Sequence, residues 1–443
     1  MTGHTELARA LARAEAAGVL PVTSVCNIRC AFCSNYQNPP GTRTYRLGYR
    51  PVAEIEAALE GMVHCDQIVI GEAATRIDEG EPFAHPEIRA ILRLVRQRFP
   101  EKPLVLTTNG LLVTEADLDL LSGLHPLEIN LSLNSADPAV RQRLLGDTRP
   151  DWVPTLVGRL AEAGLAFHGS LVAVPHLTGW SDTEETILFL AEGGAETVRV
   201  FLPGYTRLAP PGLRFDPALH SQLAQVVDRL AAGTVTPINL EPPIIGDLTV
   251  RVTGTRADSP ARRGGLGRGD IIQSVEGRPP FCRTEAYYQI RAAANPALEV
   301  RRGNEILELR LEKPAGDPSG LVFDRDIDPH QVRRLAAAIR RHSRGRGVLI
   351  LASQFGAPLL RLALTALGLA EPPVVAVPSQ HFGGSIQAAG LLVTSDFLSV
   401  LHQLGPGWEI LILPELAFDP SGLDLTGRHY LELGEWANRV ELV

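Results

Sequence analysis

Three of the five cysteines fall within eight residues, as Cys26-x3-Cys30-x2-Cys33, directly after an apolar stretch. Thiolates are soft ligands suited to iron–sulfur clusters and to zinc. A [4Fe–4S] cube normally takes four cysteines. This loop supplies three, at a spacing that lets a short chain wrap three corners and leaves one iron open to a further ligand. A zinc site completed by a histidine and a set of unligated buried cysteines are the competing readings. A disulfide framework would spread its cysteines and use more of them. Cys65 and Cys282 stand alone. An auxiliary cluster needs three or four further thiolates, so a single cluster is expected, with Cys65 a small buried residue.

The elements that must hold these cysteines alternate along the chain. Apolar runs at Leu20–Val25, Gln67–Ile70, Leu104–Thr107, Glu128–Leu133, Ser170–Val174 and Thr197–Leu202 read as strands. Between them lie helical patterns such as Val52–Met62, Ile88–Phe99 and Trp152–Ala163. Strand–helix alternation implies parallel strands with crossover helices. About six such units fit between residues 18 and 240. That is too few for an eight-fold barrel, so the fold class is α/β with an open, partial (β/α)6 barrel over residues 1–240.

With strands and cysteines in place, the chain resembles the radical S-adenosylmethionine (SAM) superfamily. Cys26-Asn27-Ile28-Arg29-Cys30-Ala31-Phe32-Cys33 is similar to its signature, including the aromatic Phe32 before the last cysteine. Glu79-Gly80-Glu81-Pro82 resembles the family's glycine-glycine-glutamate-proline stretch, with Glu79 in place of the first glycine. Thr107-Thr108-Asn109-Gly110 looks like the family's third-strand ending. Ser132 and Asn134 stand where members contact the SAM carboxylate or ribose, and Ser170 and Val200 are further carry-overs. The resemblance reaches to about residue 210. It implies a cluster on Cys26, Cys30 and Cys33, with SAM on the open iron. It also implies SAM contacts from Phe32, Gly80, Glu81, Pro82, Asn109, Ser132, Asn134 and Ser170, and an electron donor of flavodoxin or ferredoxin type. Strand C-terminal ends are where parallel barrels place their active residues.

Two more modules are expected. Ser259-Pro260-Ala261 through Gly269-Asp270-Ile271-Ile272, then Val275-Glu276-Gly277, resembles a bacterial PDZ domain spanning 243–315. Its glycine run lacks the Gly-Lys-Ser/Thr ending of a phosphate loop. PDZ domains add a peptide as an extra strand and capture its terminal carboxylate; the matching loop is Ile245-Gly246-Asp247-Leu248. Peptide capture and a purely structural role both stay open. Gly316-Asp317-Pro318-Ser319-Gly320 reads as a linker to an α/β domain at 325–443, with strands at Val348–Leu351, Val374–Val377, Gly390–Val393 and Glu409–Leu413. Gln380-His381-Phe382-Gly383-Gly384 followed by Thr394-Ser395-Asp396 resembles a C-terminal domain of unknown function found in a group of bacterial iron–sulfur oxidoreductases. His381 is a candidate for chemistry or binding, against a hydrogen-bonded loop histidine. Phe382 reads as core.

Composition narrows the function class. The formal net charge of -8 gives no global attraction to nucleic-acid phosphates. Six arginines between Arg333 and Arg346 are the local exception; they read as the solvated face and basic end of a helix. Lys102 and Lys313 are the only lysines, which leaves almost no candidates for Schiff-base chemistry. No apolar run reaches the roughly 18 residues that cross a membrane. The first 20 residues form an amphipathic helix interrupted by charge, unlike a signal peptide, so a cytoplasmic protein is expected. A radical SAM enzyme with a peptide or protein substrate is the leading expectation. A small-molecule enzyme, or a metal-dependent scaffold or redox sensor with PDZ-mediated binding, are the alternatives.

Overall fold

The computed structural model describes residues 2–74, 76–341, 347–369 and 372–443, with side chains from residue 6 onward. The chain divides into two compact units: residues 1–36, 44–203 and 215–241, and residues 37–43, 204–214 and 242–443.

The first unit is built on six parallel strands in sequential order: β1 (Ile68–Ile70), β2 (Leu104–Thr108), β3 (Leu127–Ser132), β4 (Phe167–Val172), β5 (Val198–Phe201) and β6 (Ile238–Glu241). Helices make each crossover, among them Ile88–Arg98, Trp152–Glu162, Trp180–Glu192 and Ala218–Gly233. Ile88, Ile91, Leu92 and Val95 follow the 3.6-residue period and are all buried. They meet Ile68, Ile70, Leu104 and Leu106 in one continuous core. Residues from β2 to β5 all wall the same cavity, which requires the sheet to curve around it as a partial barrel does.

The set of six strands is displaced from expectation. Leu20–Val25 is extended but is not a ladder strand. It touches the sheet only through Leu20 N to Val69 O (2.8 Å) and Val69 N to Gly18 O (2.8 Å). Pro21 interrupts it and has no N–H to give a ladder. Val22, Thr23 and Val25 instead use their carbonyls to accept from Arg50, Gly80 and Glu81. The sixth strand is β6, masked in the sequence by its brevity and the prolines that follow.

The second unit holds two sheets built independently. Residues 250–252 pair with Ile271–Val275, which continues antiparallel to Ala297–Arg302 and Glu305–Arg310. Helix Arg283–Ala292 packs on this sheet through Ala286 and Ile290. The expected linker at 316–320 belongs inside this module: Ser319 O accepts from Ala261 N (2.9 Å), Gly320 O accepts from Arg256 N (2.8 Å), and Leu321–Val322 pairs with Gly254–Thr255. A Cβ on Gly320 would lie 2.1 Å from Ser259 Cβ, so the close approach needs glycine.

The last sheet is fully parallel, ordered Val374–Val377, Val348–Ser353, Trp408–Leu413, Ala437–Leu442. The expected strand at 390–393 is absent. Ala389–Leu391 is a 3-10 turn, and Thr394 opens the helix Thr394–Leu404. Asp396 accepts from the backbone amides of Val393 (3.0 Å), Gln380 (2.9 Å) and His381 (3.0 Å). Those polar residues therefore cap a helix; they do not form an open strand end.

Of the basic cluster, Arg333, Arg334 and Arg341 pair with Glu285, Glu415 and Glu441; Arg344 and Arg346 lie outside the described residues. Among the described residues no helix is long and apolar enough to cross a membrane.

Candidate metal and cofactor site

The cysteine loop leaves Val25 and is clamped by the first unit at two backbone points. Arg29 N donates to Leu145 O (3.0 Å) and Ala31 N to Leu144 O (2.8 Å). A turn from Cys33 N to Cys30 O (3.1 Å) then brings the last two thiols to the same side. The helix Pro138–Leu145 supplying those carbonyls is pinned by Arg141. This arginine is 1% exposed, pairs with the fully buried Asp147 at 2.7 Å and also donates to the carbonyls of Leu133 and Ser135. Arg141 thereby joins the end of β3 to the loop that carries the cysteines. Nothing in the sequence distinguishes it from a surface arginine on an amphipathic helix.

Cys26, Cys30 and Cys33 all line one cavity of about 480 Å³, within the range of small-molecule sites. Burial pushes the Cys30 thiol up to about 12, and raises Cys26 and Cys33 as well; each thiol raises Cys30 further by mutual repulsion. Thiols so placed stay protonated until a cation takes the sulfur, since metal binding releases the proton. No fourth cysteine and no histidine is among the cavity's walls. Among the described residues no three His, Cys, Asp or Glu side chains converge as ligands of a single ion. The donor set fits a cluster held at three corners with one corner facing the cavity, and it lacks the histidine that a tetrahedral zinc site requires.

Around the cysteines, the expected cofactor residues fall into two groups. Phe32, Gly80, Glu81, Asn109, Ser132, Asn134 and Ser170 wall the cavity with the thiols. Several use their polar atoms to fix the walls. The buried Glu81 accepts from Thr108 Oγ1 (2.6 Å), Asn109 N (2.7 Å) and Phe83 N (3.1 Å), tying the 79–83 turn to the end of β2. Asn109 donates to Asn27 Oδ1 (2.9 Å) within the cysteine loop, and its Nδ2 lies 4.0 Å from Cys26 Sγ. Asn134 adopts φ 64°, a left-handed conformation that asparagine tolerates, and accepts from Val172 N (2.9 Å). Ser132 and Ser170 face each other at 3.3 Å. Gly80 must be glycine, because a Cβ there would sit 2.2 Å from Val25 O.

Three expectations are corrected by position. Pro82 is buried beneath Gly71 and is not on the cavity wall. Val200 is fully buried in the core, whereas its neighbours Arg199 and Phe201 reach the cavity, as the two-residue period of a strand requires. Glu79 replaces a glycine with a carboxyl whose oxygens lack hydrogen-bond partners, and burial pushes it up to about 9.

A polar group on the opposite wall was not foreseen. Glu72 accepts from Asn130 Nδ2 (3.3 Å) and Thr107 Oγ1 (3.4 Å), and Arg199 makes a two-pronged pair with Glu241 (2.8 and 3.1 Å). Thr107 and Asn130 alternate with apolar neighbours on β2 and β3, which was the available signal.

Comparison with known proteins agrees with this site. Residues 20–190 match the family model described as the Radical SAM superfamily. A GTP 3',8-cyclase of Chlorobaculum tepidum is 32% identical over 132 residues, covering 30% of this chain and 36% of that protein. The FeMo cofactor biosynthesis protein NifB of the same organism is 33% identical over 132 residues, covering 28% and 30%. The chain thus spans about a third of the length of these curated relatives. Among solved structures, Streptococcus suis SuiB bound to S-adenosylmethionine aligns at 18% identity and TM-score 0.40, covering 50% of this chain and 49% of that one. Residues 20–190 belong to the radical SAM superfamily, whose cofactors are a [4Fe–4S] cluster and S-adenosylmethionine.

Proposed function

We propose that this protein is a radical SAM enzyme that cleaves SAM reductively and takes a hydrogen atom from a substrate presented at the barrel cavity. The observation that carries this reading is that three thiols and the strand-end residues Asn109, Ser132, Asn134 and Ser170 wall one cavity. Cys26, Cys30 and Cys33 are assigned as the cluster ligands. When bound, cluster and SAM together supply a 5′-deoxyadenosyl radical. The chain's own contribution is placement. Arg141 and the Leu144–Leu145 carbonyls hold the cysteine loop, and Glu81 holds the 79–83 backbone against β2. The facing hydroxyls of Ser132 and Ser170 offer donors and acceptors to polar parts of the cofactor. An electron donor of flavodoxin or ferredoxin type is part of the proposal.

For substrate we favour a peptide or protein, on the strength of the PDZ-like module at 243–315. A small polar molecule is the second reading. It is favoured by the hydrogen-bonding wall of Glu72, Thr107, Asn130 and Arg199, and by relatives named as GTP cyclases. Protein reconstituted anaerobically with iron and sulfide, then given a strong reductant and SAM, is expected to form 5′-deoxyadenosine. A fully loaded cluster that leaves SAM intact sinks the enzyme reading and leaves a scaffold or redox sensor.

A further inference from the structure

The PDZ-like module raises a question its motif does not answer: what occupies the end of its helix and loop. In the second unit, that place is taken by the chain's own residues Asp326 and Ile327. Asp326 has a side chain with no solvent exposure. Its carboxylate accepts from Arg283 N (2.8 Å), Thr284 N (3.1 Å) and Thr284 Oγ1 (2.8 Å), the opening residues of the helix Arg283–Ala292. A carboxylate there meets free backbone amides and the positive end of the helix dipole. The guanidinium of Arg283 reaches Asp326 at 3.5 Å and, on its other side, the carbonyl (2.9 Å) and carboxylate (3.2 Å) of Asp247. Asp247 lies in the loop 245–248, where a chain terminus is expected to be captured. Arg283 is 7% exposed, and its Nε has no partner.

Ile327 completes the arrangement. It is 8% exposed and packs with Cys282, Leu248 and Phe281 of the module and with Val332 and Leu359 of the following helices. Its carbonyl accepts from Cys282 Sγ (3.3 Å). A buried carboxylate beside a branched apolar side chain, held by backbone amides and an arginine, is the chemistry of a captured peptide terminus.

We infer that this is the ligand site of the module, that it recognises a carboxylate next to a branched apolar residue, and that the chain fills it in cis with Asp326 and Ile327. An external chain terminus binds only by displacing this segment. The inference rests on the PDZ-like reading of 243–315.

The test uses the full chain and a fluorescein-labelled pentapeptide, Phe-Asp-Arg-Asp-Ile with a free C-terminus, copying residues 323–327. Anisotropy measures its affinity for the wild type and for the double variant Asp326→Asn with Ile327→Ser. Self-occupancy lowers the apparent affinity by the fraction of open sites, so the double variant is expected to bind at least about tenfold tighter. The milder Ile327→Ala keeps the test alive if the double variant misfolds. Alkylation of Cys282, followed by peptide mass spectrometry, reports independently whether the joint has opened. Equal affinity in wild type and variant overturns self-occupancy. Faster Cys282 labelling with no peptide binding in any form overturns the PDZ-like reading, and the inference with it.

Discussion

The barrel sheet and the C-terminal sheet are both parallel, yet they treat the polar residues beyond their strands in opposite ways. In the barrel, Asn109, Ser132, Asn134 and Ser170 converge with three thiols on one cavity. In the C-terminal sheet, Asp396 and Asp424 collect backbone amides: Asp396 from Val393, Gln380 and His381, and Asp424 from Thr394 (2.6 Å), Thr426 (2.7 Å) and Arg428 (3.0 Å). Polar residues at strand ends are therefore not by themselves a sign of chemistry. What separates the two regions is whether the side-chain atoms end on a shared space or on the chain's own amides. The comparison breaks if residues of the second set control catalysis, or if residues of the first prove dispensable.

The largest effect belongs to Cys30, the most deeply buried and most strongly shifted of the three thiols. Cys30→Ala is expected to abolish both cluster loading and 5′-deoxyadenosine formation. Iron and sulfide content, with the cluster's visible absorption, checks the first, and product chromatography the second. Retained cleavage in this variant refutes the ligand assignment.

Arg141→Met comes next. It leaves Asp147 buried and alone, and removing one partner of a buried pair costs about 3–5 kcal/mol. The expected outcome is a large fall in unfolding free energy in urea, together with impaired cluster loading, because the helix carrying the Leu144 and Leu145 carbonyls loses its anchor. The double variant with Asp147→Leu is expected to recover stability without recovering full loading. Recovery of both makes Arg141 a stability residue only.

Much of the barrel was legible. Alternating strands and amphipathic helices announce a parallel sheet, and a cysteine cluster with its fixed spacing identifies the metal chemistry. What escaped has physical causes. Leu20–Val25 is apolar enough for a strand, but Pro21 and three carbonyls bonded elsewhere keep it out of the ladder. Val200 and Arg199 differ by one residue, and only the sheet's pleat decides which meets the cavity. Gly316–Gly320 has linker composition, but a glycine packed against Ser259 and two backbone hydrogen bonds hold it in place. Arg141 and Asp326 are charged residues whose burial is tertiary, and sequence periodicity carries no trace of the partners that make it affordable.

In the C-terminal sheet the effects should concern stability alone. Asp396→Ala strips an acceptor from three backbone amides. Unsatisfied buried donors cost about 1–3 kcal/mol each, partly recovered here by water, so a loss of about 2 kcal/mol in unfolding free energy is expected. SAM cleavage by the loaded protein should stay within about twofold, a ratio that corresponds to well under the 1.4 kcal/mol of a tenfold change. A loss of cleavage with the cluster still fully loaded erases the distinction between the two regions.

The smallest effect is titration at His381. Its ring Nε2 lies 2.9 Å from the Thr42 hydroxyl, and burial lowers its pKa against the pull of Asp396 and Asp424 and with the help of Arg207. The folded protein therefore binds this proton less readily than the unfolded chain. Between the folded pKa and the unfolded value of about 6.5 the unfolded state holds more protons, so stability falls as pH drops through that window. His381→Gln keeps a hydrogen-bonding side chain and removes the titration. Urea unfolding from pH 7.5 to 5 should show a shallower decline in the variant than in the wild type. Parallel curves place the acid sensitivity elsewhere and return His381 to the candidates for chemistry, which is the outcome the capped, self-satisfied character of this sheet argues against.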